Sequence, residues 1–109
     1  MMKGGPLGQI MRQAQQMQEK MQRAQEEIAR MEIVGESGAG MVKVTLTGKH
    51  QCRKVEIAAD ALKEDKEFVE DLIAAAINDA TQKVDAETKS RLGGLTAGLQ
   101  LPPGMNLGL

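Results

Sequence analysis

The sequence has no tryptophan, no tyrosine and a single phenylalanine among its 109 residues. Aromatic platforms for stacking unpaired bases are missing, which disfavours single-stranded DNA or RNA as a partner. There is one cysteine, Cys52, so no disulfide can form within the chain. It lies in strand-like sequence and reads as a small, half-buried hydrophobe. One cysteine and one histidine cannot supply a structural zinc site. His50, the only imidazole, has just Lys49 and Arg53 beside it, whereas acid–base or nucleophilic work needs a positioned partner. No enzyme, cofactor, metal or small-molecule substrate is expected. The N-terminus lacks the apolar region of a signal peptide, and no run approaches the ~20 apolar residues of a membrane span. These absences point to a cytoplasmic protein with no membrane partner. The formal charge is −1, from 14 basic and 15 acidic residues, so bulk charge does not announce a nucleic-acid binder.

What is present begins with a stripe. Leu7, Ile10, Ala14, Met17, Met21, Ala24, Ile28 and Met31 follow a strict 3-4 spacing, separated mostly by Gln, Glu, Lys and Arg. This predicts a helix over 7–31, opened by Pro6 and about 37 Å long at ~1.5 Å per residue. Two apolar positions per heptad make a narrow seam, suited to one partner helix rather than a broad core. With so few aromatics, the core is modest and self-association is expected.

A sheet is predicted over 32–57. A short β-like segment, 32–37, comes first. Val42, Val44 and Leu46 then alternate with Lys43, Thr45 and Thr47, the period of a half-buried strand. Gly38, Ala39 and Gly40 before it suit a hairpin turn, not a phosphate cradle, because a strand rather than a helix follows. A second turn over 48–51, including His50, leads to a third strand at 52–57, with Val55 and Ile57 on one face. The outcome is an antiparallel meander with one apolar face.

A second long helix is predicted over 66–91. Phe68, Val69, Leu72, Ile73, Ala76, Ile77 and Ala80 form a broad face for docking on the sheet, and the pattern thins after Val84. Glu64, Asp65, Glu67, Glu70 and Asp71 read as an acidic start to this helix, favourable to its dipole. A single domain over 1–92 is thus expected, followed by a flexible Gly/Pro-containing tail at 93–109.

Charge is unevenly placed. Residues 1–31 carry Lys3, Arg12, Lys20, Arg23 and Arg30 against Glu19, Glu26 and Glu27, a local balance of +2. Residues 60–87 carry nine acids against Lys63, Lys66 and Lys83, a balance of −6. Arg12, Gln16, Lys20 and Arg23 share one face of the first helix beside the seam. Arginine and lysine neutralise phosphates, and Gln can add hydrogen bonds. Arg12, Lys20 and Arg23, with Lys83, Lys89 and Arg91 on the second helix, are the candidate contacts to duplex DNA. The rival reading takes the Met-bearing seam and the Leu-containing tail as surfaces for a protein partner.

The order of motifs carries a resemblance. It comprises the Gln/Met-rich helix around Gln13–Met21, Gly35-Glu36-Ser37-Gly38-Ala39-Gly40-Met41-Val42-Lys43-Val44, then Gly48-Lys49-His50 and Val55-Glu56-Ile57. The run Glu70-Asp71-Leu72-Ile73-Ala74-Ala75-Ala76-Ile77-Asn78-Asp79-Ala80 follows, with Gly94-Leu95-Thr96-Ala97-Gly98 and Leu101-Pro102-Pro103-Gly104 near the end. Over nearly its whole length the chain resembles the YbaB/EbfC family of bacterial nucleoid-associated proteins. The resemblance implies an α+β fold of order α-β-β-β-α, its helices projecting tweezer-like from a homodimer. It also implies binding of double-stranded DNA in the nucleoid, with a change in DNA conformation and roles in nucleoid organisation and gene regulation. It carries no residue-by-residue contact motif.

Overall fold

The computed structural model describes residues 6–96. A helix, α1 (Pro6–Arg30), leads into three strands, β1 (Glu32–Ser37), β2 (Val42–Thr47) and β3 (Cys52–Ile57). A 3-10 turn at Ala61–Lys63 precedes a second long helix, α2 (Lys66–Thr96). The fold is α+β with the order α-β-β-β-α. The strands form one antiparallel sheet in the order β1-β2-β3.

Both hairpins are made by residues that accept a left-handed backbone. Gly38, Ala39 and Gly40 all have positive φ between β1 and β2, and His50 has φ 64° between β2 and β3. Thr47 accepts the backbone N–H groups of Lys49 and Gln51 at its hydroxyl (3.2 Å each), closing the second turn. Asp65 caps α2 by accepting the Phe68 N–H at 2.8 Å. The acidic helix start is thus partly a cap, and Lys66 and Glu70 pair along it at 3.6 Å.

Val42 and Val44 are fully buried beneath Ala76, Ala80 and Val84 of α2, and Leu46, Ile28 and Met31 complete the core. Gly35 explains how close the helix comes. A Cβ there would overlap the backbone of Ala76 and Ala80, so the absent side chain lets α2 lie directly on β1. Gly48 plays the same part at the second hairpin, where a methyl would strike the Ile28 carbonyl at the root of α1.

The helix covers β1 and β2 but leaves β3 exposed up to Ile57, which packs against the edge of the core. Val55 is 45% exposed although it lies on the apolar face of the sheet. Cys52 is likewise exposed, not half-buried as its strand setting suggests, because among the described residues α2 packs on β1 and β2 instead. Phe68 and Ile77, expected in the docking face of α2, lie at its margins and stay open to solvent. The helix also continues through Gly93 and Gly94 to Thr96, so the tail expected from residue 93 does not begin there. The remainder of that segment, 97–109, lies outside the described residues.

The seam of α1 is buried in a gradient. Leu7 is 70% exposed, Met17, Met21 and Ala24 are half-buried, and Ile28 is 7% exposed. Its root is therefore core and its outer part is not. The partner at the root is the chain's own α2, whose Val84 and Leu92 join the same cluster.

One carboxylate ties the outer side of β1 to α2. Asp79 Oδ2 accepts the Glu36 N–H at 2.9 Å and pairs with Lys83 Nζ at 2.9 Å. The Glu36 hydrogen bond, and then Lys83, hold its pKa below the ordinary value of 3.8. A depressed carboxylate stabilises the fold above its unfolded pKa and loses that contribution as pH falls through the folded value. Urea unfolding at pH 6 and pH 3 should therefore show a smaller loss of stability on acidification for Asp79→Asn than for the wild type. Gly35→Ala should lower stability by about 1–3 kcal/mol through overpacking, read as a lower urea midpoint at unchanged slope.

Candidate nucleic-acid interface

Beyond the sheet, the second half of α2 runs beside the root half of α1. The two helices face each other across an open groove lined by Lys20, Arg23, Ala24 and Glu27 of α1 and by Arg91, Gly94 and Leu95 of α2. The small residues Ala24 and Gly94 keep the groove wide between them. Three of the six candidate contacts, Lys20, Arg23 and Arg91, thus meet in one place although about seventy positions separate them in sequence.

The other three are placed differently. Arg12 lies on the same α1 face as Lys20 and Arg23, since the set spans about 80° at ~100° per residue. It is farther out, where every residue of 6–16 is exposed. Lys83 is held by Asp79 at 2.9 Å on the flank of the sheet. Lys89 sits two residues before Arg91, about 160° round the helix, and points away from the groove. The structure therefore brings Lys20, Arg23 and Arg91 together, extends them outward through Arg12, and leaves Lys83 and Lys89 apart.

The groove lining is mixed in charge, with three cations, Lys20, Arg23 and Arg91, against the single acid Glu27. Arg91 Nε donates to Glu87 Oε1 at 3.0 Å, one turn back on α2. Glu27 lies one turn beyond Arg23 on α1, nearer the sheet, and also lines the groove. Glu87 holds Arg91 in place at a cost to net positive charge, and a surface pair of this kind is weak enough to be exchanged for a phosphate. Glu19, Arg23 and Glu26 also line a shallower depression on the outer side of α1, so Arg23 sits at the boundary of two surfaces.

Sequence reasoning missed one pairing. His50 Nε2 donates to Asp85 Oδ1 at 3.0 Å, pinning the second hairpin to α2. Since an ionised carboxylate only accepts, the proton belongs on Nε2. The partner lies thirty-five residues away, and no local pattern points to it. Both side chains are exposed. Among the described residues no group of three or more His, Cys, Asp or Glu side chains could hold a metal ion, and no helix is long and apolar enough to cross a membrane.

A comparison of folds finds the crystal structure of an uncharacterized protein from Helicobacter pylori. It superposes with a TM-score of 0.65 at 23% sequence identity, over 80% of this chain and 92% of that one. At that identity the likeness establishes the fold. The sequence comparison goes further, because the profile of the YbaB/EbfC DNA-binding family matches residues 2–99. The match spans both helices and the whole sheet, and the chain belongs to the YbaB/EbfC DNA-binding family.

Proposed function

We propose that the protein grips duplex DNA as a homodimer, chiefly through the phosphate backbone, and alters its conformation. On this reading it is a non-enzymatic, nucleoid-associated protein with roles in nucleoid organisation and gene regulation. The observation that carries the reading is the convergence of Lys20, Arg23 and Arg91 across the α1–α2 groove, with Arg12 continuing the basic face outward. Membership of a DNA-binding family supports it. Arg12, Lys20, Arg23 and Arg91 are the principal phosphate contacts, and Lys83 and Lys89 contribute less. Cations on two adjoining helices can hold a backbone without reading bases, so the expected binding is weakly dependent on sequence.

Gel shifts with duplex DNA at a series of salt concentrations test this directly. Four phosphate contacts per protomer give a slope of log affinity against log salt of about −3 to −4 for each protomer engaged. Lys20→Glu with Arg23→Glu should weaken binding at least ~tenfold for unrelated duplexes alike and flatten the salt slope. Lys89→Glu should do so less. No shift at micromolar protein in low salt, or a shift indifferent to salt, would overturn the proposal.

A second reading is favoured by one observation. Leu7, Ile10 and Met11 at the outer end of α1 are all at least 60% exposed. Exposed apolar residues on a helix suit a protein groove, which makes the arm an adaptor for a protein partner. Pull-down from nuclease-treated lysate separates the two. A stoichiometric partner retained without nucleic acid, and lost in Ile10→Glu, supports the adaptor. Loss of every partner on nuclease treatment supports DNA.

A further inference from the structure

The two helical arms reach unequal distances from the sheet. α1 runs toward the sheet and buries its root at Ile28, whereas α2 runs away from it, so the two lie antiparallel. α2 ends at Thr96, and Leu95 lies across the groove from Lys20 and Ala24. From Lys20, α1 continues outward to Pro6, roughly 21 Å at ~1.5 Å per residue. Every residue of 6–16 is exposed. At ~100° per residue the apolar side chains of Leu7, Ile10, Ala14 and Met17 fall within roughly 80° of one another. A helical arm of this length with nothing against its apolar side is marginal in water.

We propose that residues 97–109 of the same chain lie along this outer seam of α1 and cover it. Place, length and chemistry all fit that occupant. The segment leaves α2 beside Lys20, heading outward, at the point where the exposed seam begins. Its thirteen residues, extended at ~3.1 Å each, span about 40 Å, more than the arm requires. It carries Leu99, Leu101, Met105, Leu107 and Leu109 and no charged side chain. Laid on the seam, it buries apolar surface on both partners without desolvating an ion. Pro102 and Pro103 oppose a helix across the segment, and an extended backbone needs hydrogen-bond partners from outside itself. Gln15 and Gln18, with Met11 and Ala14, line a shallow depression beside the seam, and their amides both donate and accept. Around the helix axis the centre of the seam stands roughly 160–180° from Arg12 and Arg23, so the covered arm keeps those cations open. The proposal does not rest on DNA binding. It removes the free apolar face on which the adaptor reading stands.

Paramagnetic broadening in the full chain tests the contact. A nitroxide on Met105→Cys, with Cys52→Ser removing the native thiol, should broaden away the amide signals of Leu7, Ile10 and Met11 and leave those of Val42 and Val44 intact. Ile10→Glu with Ala14→Glu, both at exposed positions outside the core, should bring the Leu7 and Met11 signals back. Mixing isotope-labelled chains that lack the nitroxide with unlabelled chains that carry it separates the chain's own segment from a second copy's. The signals should survive in that mixture. Their loss there assigns the cover to a second copy, and signals intact in every sample leave the seam to another protein; either result overturns the proposal. In a full chain carrying Leu101→Asp and Met105→Asp, hydrogen exchange over 7–17 should quicken at least ~tenfold while exchange over 42–47 stays unchanged. Unaltered exchange over 7–17 would likewise overturn it. Gel shifts decide DNA binding separately, so the two readings fail independently.

Discussion

The backbone of α2 rests directly on Gly35, with Ala76 and Ala80 turned down onto β1 and β2. A helix seated so low buries Val42 and Val44 completely with small side chains, which is how a chain nearly without aromatics closes a core. The same seat aims the helix. Because α2 follows β1 and β2, it carries its second half past the sheet and alongside α1, and it leaves β3 exposed up to Ile57. Both the groove and the exposed strand follow from where that one contact places the helix axis.

Charge is organised around the same axis. Asp79 lies at the flank of the seat and joins the edge of β1 to Lys83. Farther along, Glu87 steadies Arg91 where α2 meets Lys20 and Arg23. A chain of net charge −1 therefore presents cations where its two helices converge and acids chiefly around the start of α2. Total charge conceals this, since a local field depends on which side chains face one another, not on their sum.

Much of the architecture was legible. The 3-4 stripe placed α1 within one residue at each end, and the period-two run with its glycines placed the hairpin and its antiparallel partner strand. These signals are local, because an element of regular period shows its buried side in its own sequence. The end of α2 was not legible. Gly93 and Gly94 argue for a stop, yet the helix passes through them, with Leu92 packed against the core. Tertiary contact there outweighs two poor helix formers. Cys52 and Val55 sit in strand sequence that reads as half-buried, and only the path of α2 decides that they are exposed.

The candidate interface divides in the same way. Sequence alone determined that Arg12, Lys20 and Arg23 share a face, because helical spacing sets angles within one element. Only the tertiary structure decided that Arg91 joins them while Lys89, two residues away, turns aside, and that His50 finds Asp85. Relations between elements depend on how closely and at what rotation two surfaces pack. That is settled by the bare backbone at Gly35 and the alanines above it.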